Sequence, residues 1–256
     1  MPRFSANLSF LFNEVPFLDR FEAAAKAGFK AVEFLSPLDH SIAEIAARLS
    51  NNGLQLDLFN AGVGDYANGE RGIMAIPGRE RECQETIRKC VAYAEALGCR
   101  KLHVMAGLRS AGAERKTFVA NLKAAAKAAV GIDLLLEPIN TRDMPGYLLN
   151  HCRDARSIID GVGAKNLKLQ FDVYHRQIME GDIAAGIKEF ADLTAHYQIA
   201  NPPDRGEPDA GELNYTSIFR MIEATGYTGW IGCEYKPRAG TMQGLSWRER
   251  LGVTLS

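Results

Sequence analysis

The 256-residue chain lacks the features that mark several special classes of protein. No stretch approaches the roughly 20 consecutive apolar residues of a membrane-spanning helix, so no membrane partner is expected. There is no long run of like charges and the formal net charge is −1, which argues against nucleic acid as a partner. The five cysteines contain no C-x-x-C pair, and this favours reduced thiols in a cytoplasmic protein.

What the chain does contain is a regular alternation of short apolar segments and amphipathic helical segments. The predicted strands cover 4–10, 31–35, 54–60, 101–107, 132–138, 167–172, 193–200 and 230–235. The predicted helices lie within 16–28, 41–53, 78–99, 114–130, about 150–161, 178–190, 215–226 and 246–252. In the second helix, Ser41 and Glu44 have the spacing of a capping box.

Eight strand–helix units without a linker or a low-complexity segment predict one domain over residues 1–256. The fold class is α/β, and the expected architecture is a single (β/α)₈ TIM barrel. An open, doubly wound sheet is the alternative. That fold would call for a G-x-G-x-x-G segment after an early strand, and none is present.

Polar side chains stand where the last four predicted strands end: Glu137, Asp172, Gln198 and Glu234. One carboxylate at a strand end is commonly solvated or caps the next helix. Four oxygen-bearing residues on consecutive strands indicate a shared site, because barrel active sites lie at the carboxyl ends of the strands. Crowded carboxylates either gain protons or bind a cation, and an all-oxygen ligand set predicts Mg²⁺ or Mn²⁺.

Such a metal site suits a substrate with two adjacent oxygens, such as an α-hydroxy carbonyl compound. Glu137 and Glu234 are then expected to act as an acid–base pair that moves a proton between neighbouring carbons. This is aldose–ketose isomerisation, and an epimerisation would use the same groups. His175 lies about one turn beyond Asp172 and is expected to donate to a substrate oxygen, although a helix-capping or loop histidine remains an alternative.

Four motifs carry a family resemblance: LLLEPINTRDMPGY, LQFDVYH, YQIANPPDRGEPDAGELNY and GWIGCEYKP. They resemble the hydroxypyruvate isomerase family, which belongs to the xylose isomerase-like TIM barrels. The resemblance implies that hydroxypyruvate and tartronate semialdehyde, small hydroxy-keto acids, are interconverted. It also implies that Glu137 and Glu234 are catalytic and that both bind the metal together with Asp172 and Gln198. The resemblance leaves open whether the protein forms a homo-oligomer.

The same resemblance places His175 and Arg205 on the substrate. Arg205 is expected to bind the substrate carboxylate because its planar guanidinium matches a carboxylate, whereas Lys236 is a second candidate or a solvated lysine. Many relatives have Arg-His-Glu-Pro where this chain has Gly206 after Arg205. The segment PPDRGEPDAGELNY also resembles the branch that isomerises 2-oxo-tetronates, so substrate length stays open between three and four carbons.

The connection over residues 60–78 follows the third strand and has five glycines and few expected anchors. A water-excluding lid is the hypothesis, and a disordered surface loop is the alternative. Three other functions stay open. A DNA-repair endonuclease of this superfamily would use several histidine ligands, a zinc cluster and a basic groove. A metabolite-binding barrel would not require two glutamates, and a ketose 3-epimerase would use the same site.

Overall fold

Parallel strands close into a barrel in the computed structural model, which describes residues 2–255. The eight strands are β1 (Arg3–Asn7), β2 (Ala31–Phe34), β3 (Gln55–Ala61), β4 (Lys101–Val104), β5 (Asp133–Leu136), β6 (Leu167–Asp172), β7 (Thr194–Ile199) and β8 (Trp230–Cys233). Each strand pairs with its neighbours in sequence order, and β8 returns to β1 with Gly232 opposite Ser5. The predicted TIM barrel is confirmed.

Helices surround this barrel. They are α1 (Arg20–Ala27), α2 (Ile42–Asn52), α3 (Glu80–Leu97), α4 (Arg115–Ala128), α5 (Cys152–Val162), α6 (Val173–Met179), α7 (Ile183–Glu189), α8 (Tyr215–Ala224), α9 (Thr241–Gly244) and α10 (Trp247–Leu251). Within residues 2–255, no helix combines the length and apolar character that crossing a membrane requires. All five cysteines are buried and free.

The region after β6 differs from the prediction of one helix over 178–190. The structure has two short helices there, because α6 begins directly after the strand. One oxygen of Asp172 accepts from the backbone N–H groups of Tyr174 and His175, and this cap starts the helix earlier than its apolar pattern indicates. The break between α6 and α7 lies at Gly181 and Asp182, which both have positive φ angles.

The last helix holds the segment that follows β8. Trp247 of α10 is fully buried, and its ring lies edge-on to Phe4 of β1, with the ring centroids 5.2 Å apart. The indole N–H donates to the hydroxyl of Tyr235 at 3.0 Å. Because Tyr235 directly follows Glu234, this packing fixes the chain at one end of the predicted site.

The connection between β3 and α3 is anchored more firmly than its glycine-rich sequence indicates. Residues 72–76 are buried, and the N–H groups of Met74 and Ala75 donate to the carbonyl oxygens of Met105 and Ala106 at 3.3 and 2.8 Å. The tip over residues 65–69 and the two residues 77–78 just before α3 are exposed. The connection therefore forms part of the barrel rim beside β4.

The capping box of α2 provides a test of the local sequence signal. The Ser41 hydroxyl accepts from the Glu44 N–H at 3.2 Å, and the Glu44 carboxylate accepts from the Ser41 N–H at 2.9 Å. We expect Ser41→Ala to lower the free energy of unfolding by about 1 kcal/mol in urea titrations, because a cap acceptor is lost. Ser50→Ala in the last turn of the same helix is the control, and equal losses in both variants would contradict the assignment.

Candidate active site

Every strand of the barrel places a buried polar side chain at the carboxyl-terminal face. In strand order these residues are Asn7, Glu33, Asn60, His103, Glu137, Asp172, Gln198 and Glu234. The sequence identified the last four and missed the first four. Each of the missed residues is a polar residue inside an otherwise apolar segment. An ordinary half-buried strand shows the same pattern.

A cavity of about 380 Å³ opens at this face. Of the residues predicted from the sequence, Glu137, His175, Arg205, Glu234 and Lys236 line it. Asp172 and Gln198 are not among the residues that line it. Asp172 Oδ2 is 3.6 Å from His175 Nε2 and 3.7 Å from Arg205 Nη2, and the Gln198 amide donates to the Glu234 carboxylate.

Burial and mutual repulsion make three carboxylates of this site hard to ionise together. Burial raises the pKa of Glu137 well above its ordinary range, and the charges of Glu234 and Asp172 raise it further. Burial raises the pKa of Glu234 to about 8, even though Arg205 opposes the shift. The pKa of Asp172 is also raised by burial, with Arg205 and two backbone N–H groups offsetting part of the effect.

Arg205 is the cation that compensates these charges within the protein. Its Nη2 donates to Glu234 Oε1, and its Nη1 lies 3.6 Å from an oxygen of Asp143. The guanidinium lies between two aromatic rings, 4.7 Å from the ring centre of Phe10 and 5.1 Å from that of Tyr174. The position of Arg205 is therefore well defined, and much of its charge is already balanced by carboxylates.

The donor set has room for a divalent cation. Glu137 Oε1 and Asp172 Oδ2 are buried, and no hydrogen-bond donor in residues 2–255 satisfies either atom. Glu137, Asp172 and His175 each offer one ligand atom, and these atoms lie within 4.8 Å of one another. Buried, unsatisfied carboxylate oxygens beside each other are the kind of ligands that hard divalent cations bind.

Gln198 turns its amide nitrogen toward the carboxylates in this structure. Its Nε2 donates to Glu33 at 2.8 Å and to Glu234, while its Oε1 accepts from Gln170 Nε2 at 2.7 Å. An oxygen ligand from Gln198 would therefore require a half-turn of the amide, which would face its nitrogen toward Gln170.

His175 is a neutral hydrogen-bond donor. Its Nδ1 accepts from the backbone N–H of Asn140 at 3.4 Å, so the proton of the neutral ring lies on Nε2. That Nε2 is 3.7 Å from Glu137 Oε1. Burial lowers the pKa of His175 well below its usual value, and the charge of Arg205 lowers it further. The ring lines the cavity and can thus donate to an oxygen there.

A second group of charged residues lies one layer deeper in the barrel. Nε2 of His196 is 2.9 Å from Glu33, its Nδ1 is 3.2 Å from Asp57, and Lys101 pairs with Asp57 at 2.8 Å. Burial alone would lower the pKa of His196, but Glu33 and Asp57 raise it to about 9. Glu33, Asp57 and His196 lie close enough together to hold a metal. However, two cations already balance the two carboxylates, so we interpret them as a buried ion network.

The space beside Gly206 is filled by another side chain. A Cβ atom there would collide with the guanidinium of Arg238. Arg238 donates to Asp204 at 3.1 Å and to Glu207 at 3.0 Å. The position that is histidine in many relatives is thus packed by an ion-paired arginine in this chain. Lys236 is exposed at the cavity rim, and its backbone N–H donates to the Arg205 carbonyl oxygen at 2.7 Å.

The charge states of three buried histidines follow from this arrangement. At about pH 7.5 we expect His196 to carry both ring protons, while His103, whose pKa burial lowers to about 3, and His175 stay neutral. Nitrogen-15 NMR of the metal-free protein distinguishes these states, and His40→Gln and His151→Gln variants simplify the spectrum. A neutral His196 ring would contradict the ion network, and a doubly protonated His103 ring would contradict the neutral state expected from its burial.

Comparisons with known proteins agree with the geometry of the fold. A family model described as a xylose isomerase-like TIM barrel matches residues 21–251. A crystal structure described as AP endonuclease, family 2, from Brucella melitensis has a TM-score of 0.94 and 48% identity, and the match covers 98% of this chain and 99% of that one.

Two curated relatives match nearly the full chain. The 2-oxo-tetronate isomerase of Cupriavidus necator is 55% identical over 253 residues, 96% of this chain and 97% of that protein. The hydroxypyruvate isomerase of Escherichia coli is 47% identical over 255 residues, 97% of this chain and 99% of that protein. The resemblance seen in the four sequence motifs is confirmed. The chain therefore belongs to the xylose isomerase-like TIM barrel family, among its hydroxypyruvate and 2-oxo-tetronate isomerases, and it is an isomerase.

Proposed function

We propose that the protein interconverts R–CH(OH)–CO–COO⁻ and R–CO–CH(OH)–COO⁻, with hydroxypyruvate and tartronate semialdehyde as the pair in which R is hydrogen. One observation carries this proposal: Glu137 and Glu234, from β5 and β8, line the same cavity and have raised pKa values. Two such carboxyl groups on one cavity are what a proton transfer between adjacent carbons requires.

One glutamate removes the proton from C3, the other returns a proton to C2, and the hydroxyl proton passes from the oxygen on C3 to the oxygen on C2. Their roles reverse in the back reaction. Both carboxyl groups line the cavity, so either can exchange a proton with a substrate held there. His175 donates its Nε2 proton to an oxygen of the substrate. Arg205 holds Glu234 in place and binds the substrate beside the reacting carbons.

Glu137, Asp172, Glu234 and Gln198, once its amide has turned, are the residues that would hold Mg²⁺ or Mn²⁺. When bound, the cation supplies Lewis acidity that favours loss of the proton beside a carbonyl group. The unsatisfied oxygens of Glu137 and Asp172 support this assignment. Because ionised carboxylates bind cations, we expect a bound cation to lower the raised pKa values of these glutamates.

A four-carbon substrate, in which R is CH₂OH, is the second candidate. The relative that is 55% identical is named 2-oxo-tetronate isomerase, and the reacting –CH(OH)–CO–COO⁻ unit is the same in both acids. Initial rates on hydroxypyruvate and on 2-oxo-tetronate, measured with one preparation, decide between the two substrates.

AP endonuclease activity is what the name of the Brucella melitensis protein describes. The site here supports it less well. In the part of the chain that the structure describes, each potential metal cluster contains one histidine, and the net charge of the chain is −1. An abasic duplex should therefore serve as a control substrate, and efficient cleavage of it would contradict the isomerase proposal.

Replacing one glutamate tests the acid–base pair. We expect Glu234→Gln to lower the rate at which hydroxypyruvate is converted, with deuterium exchange, into tartronate semialdehyde by roughly 10²- to 10⁴-fold, because an amide cannot carry the proton. Proton NMR in D₂O follows the exchange. Glu212→Gln, at an exposed loop position, is the control. Conversion that persists in Glu234→Gln would contradict the proposed role of Glu234.

Metal binding is tested at Asp172, where asparagine keeps the helix cap and removes the charge. We expect Asp172→Asn to weaken Mn²⁺ binding by roughly 100-fold or more in electron paramagnetic resonance titrations, since losing even an outer-shell partner costs 10- to 100-fold. Asp160→Asn, at an exposed position on α5, is the control. Equal Mn²⁺ affinity in both variants would show that Asp172 does not bind the cation.

A further inference from the structure

Arg71 lines the cavity and has no ion-pair partner among residues 2–255. It lies between β3 and α3 and lines the same cavity as Glu137 and Glu234. Its Nη1 donates to the backbone carbonyls of Tyr66 at 3.0 Å and Glu70 at 2.7 Å, and its guanidinium stacks 3.9 Å from the ring centre of Tyr66. Among residues 2–255, no carboxylate oxygen comes within ion-pair distance of Arg71.

The backbone next to Arg71 is held against the barrel. Gly72 has a φ angle of 111°, and a Cβ atom there would lie 2.5 Å from the carbonyl oxygen of Met105. Only glycine permits so close an approach in this conformation. The buried Ile73 and Met74 follow directly. Arg71 is therefore presented from the fixed part of the connection and not from its exposed tip.

Binding of a carboxylate substrate requires a positive charge in addition to Arg205 and the divalent cation, because carboxylates surround the cavity. Four carboxylates, Glu137, Asp143, Asp172 and Glu234, face Arg205. A divalent cation leaves this group with a net negative charge, which would repel the carboxylate of a 2-oxo acid. Arg71 and Lys236 are the remaining cationic side chains that line the cavity in the described part of the chain.

Arg71 is better suited than Lys236 to compensate that charge. Lys236 is exposed, so solvent screens its ammonium group. Arg71 is half-buried, and its guanidinium is oriented by two carbonyl groups and an aromatic ring. A planar guanidinium that is already oriented can bind a carboxylate through two parallel hydrogen bonds with little loss of entropy.

We propose that Arg71 binds the carboxylate of the substrate, an inference that rests on the proposed 2-oxo acid function of this site. Arg205 then remains paired with Glu234 next to the reacting carbons, instead of binding the carboxylate as the sequence predicts. The connection between β3 and α3 becomes the element that selects 2-oxo acids over neutral ketoses. Tyr66 supports it by stacking on the guanidinium.

Equilibrium dialysis tests the proposal, because it reports binding whether or not the ligand is turned over. The probes are hydroxypyruvate and dihydroxyacetone, which has CH₂OH in place of the carboxylate, with the full-length Mg²⁺-loaded protein. We expect Arg71→Gln to weaken hydroxypyruvate binding by roughly 10- to 100-fold and dihydroxyacetone binding by less than about twofold. Arg71→Lys should recover part of the loss.

Two matched variants separate this role from other causes. Arg100→Gln, an exposed position before β4 at the opposite end of the barrel, controls for the loss of one positive charge. Lys236→Gln tests the other cation at the rim. Equal weakening of both probes in Arg71→Gln, or a loss of hydroxypyruvate selectivity in Lys236→Gln alone, would overturn the proposal.

Steady-state kinetics provide an independent readout. Because the carboxylate does not react, its contact with Arg71 should be equal in the ground state and the transition state. Arg71→Gln should then raise KM for hydroxypyruvate and leave kcat within a few-fold of the unsubstituted protein. If the unsubstituted protein turns over neither 2-oxo acid, the proposed function fails, while the dialysis still decides whether Arg71 recognises a carboxylate.

Discussion

The site holds three carboxylates close together inside the barrel, and the rest of the structure must compensate for their burial and mutual repulsion. Glu137, Asp172 and Glu234 are nearly inaccessible to solvent, so each loses hydration that neighbouring groups must replace. Arg205 supplies the main compensation, and its backbone adopts a φ angle of 60°, which a non-glycine residue rarely does. A strained arginine between two aromatic rings is a cost that the fold accepts in order to keep a cation at this position.

The deeper ion network extends this compensation along the strands. Side chains two positions apart point to the same face of a strand, so Gln198 and His196 of β7 lie in successive layers of the barrel interior. Glu33 joins the layers, since it faces His196 and accepts hydrogen bonds from Gln198 and Asn7. Asn7 in turn donates to Glu234 at 2.9 Å. The position of Glu234 is therefore set by contacts from several strands, and this limits the directions in which its carboxylate can accept a proton.

The sequence predicted the barrel because strand and helix periodicities alternate clearly, and it predicted the four strand-end residues because each interrupts an apolar run. It did not reveal Glu33 or His103, because which side chains of a four-residue strand point inward depends on the register and tilt of the closed barrel. Nor did it single out Arg71, which lies in a connection without periodicity. Its relation to the cavity arises from the close packing of Gly72 on Met105, a contact between segments distant in sequence.

Asp172 shows why fold and chemistry are difficult to separate in this protein. Its Oδ1 accepts from two N–H groups and begins α6, while its Oδ2 remains for the site. The same helix start places His175 where its Nε2 faces both Asp172 and Glu137. A carboxylate that only capped the helix could be exchanged for serine or threonine at little cost in stability. The second oxygen has no such substitute, because a hydroxyl group carries neither the charge nor the second acceptor, and the site therefore restricts this position more than the helix does.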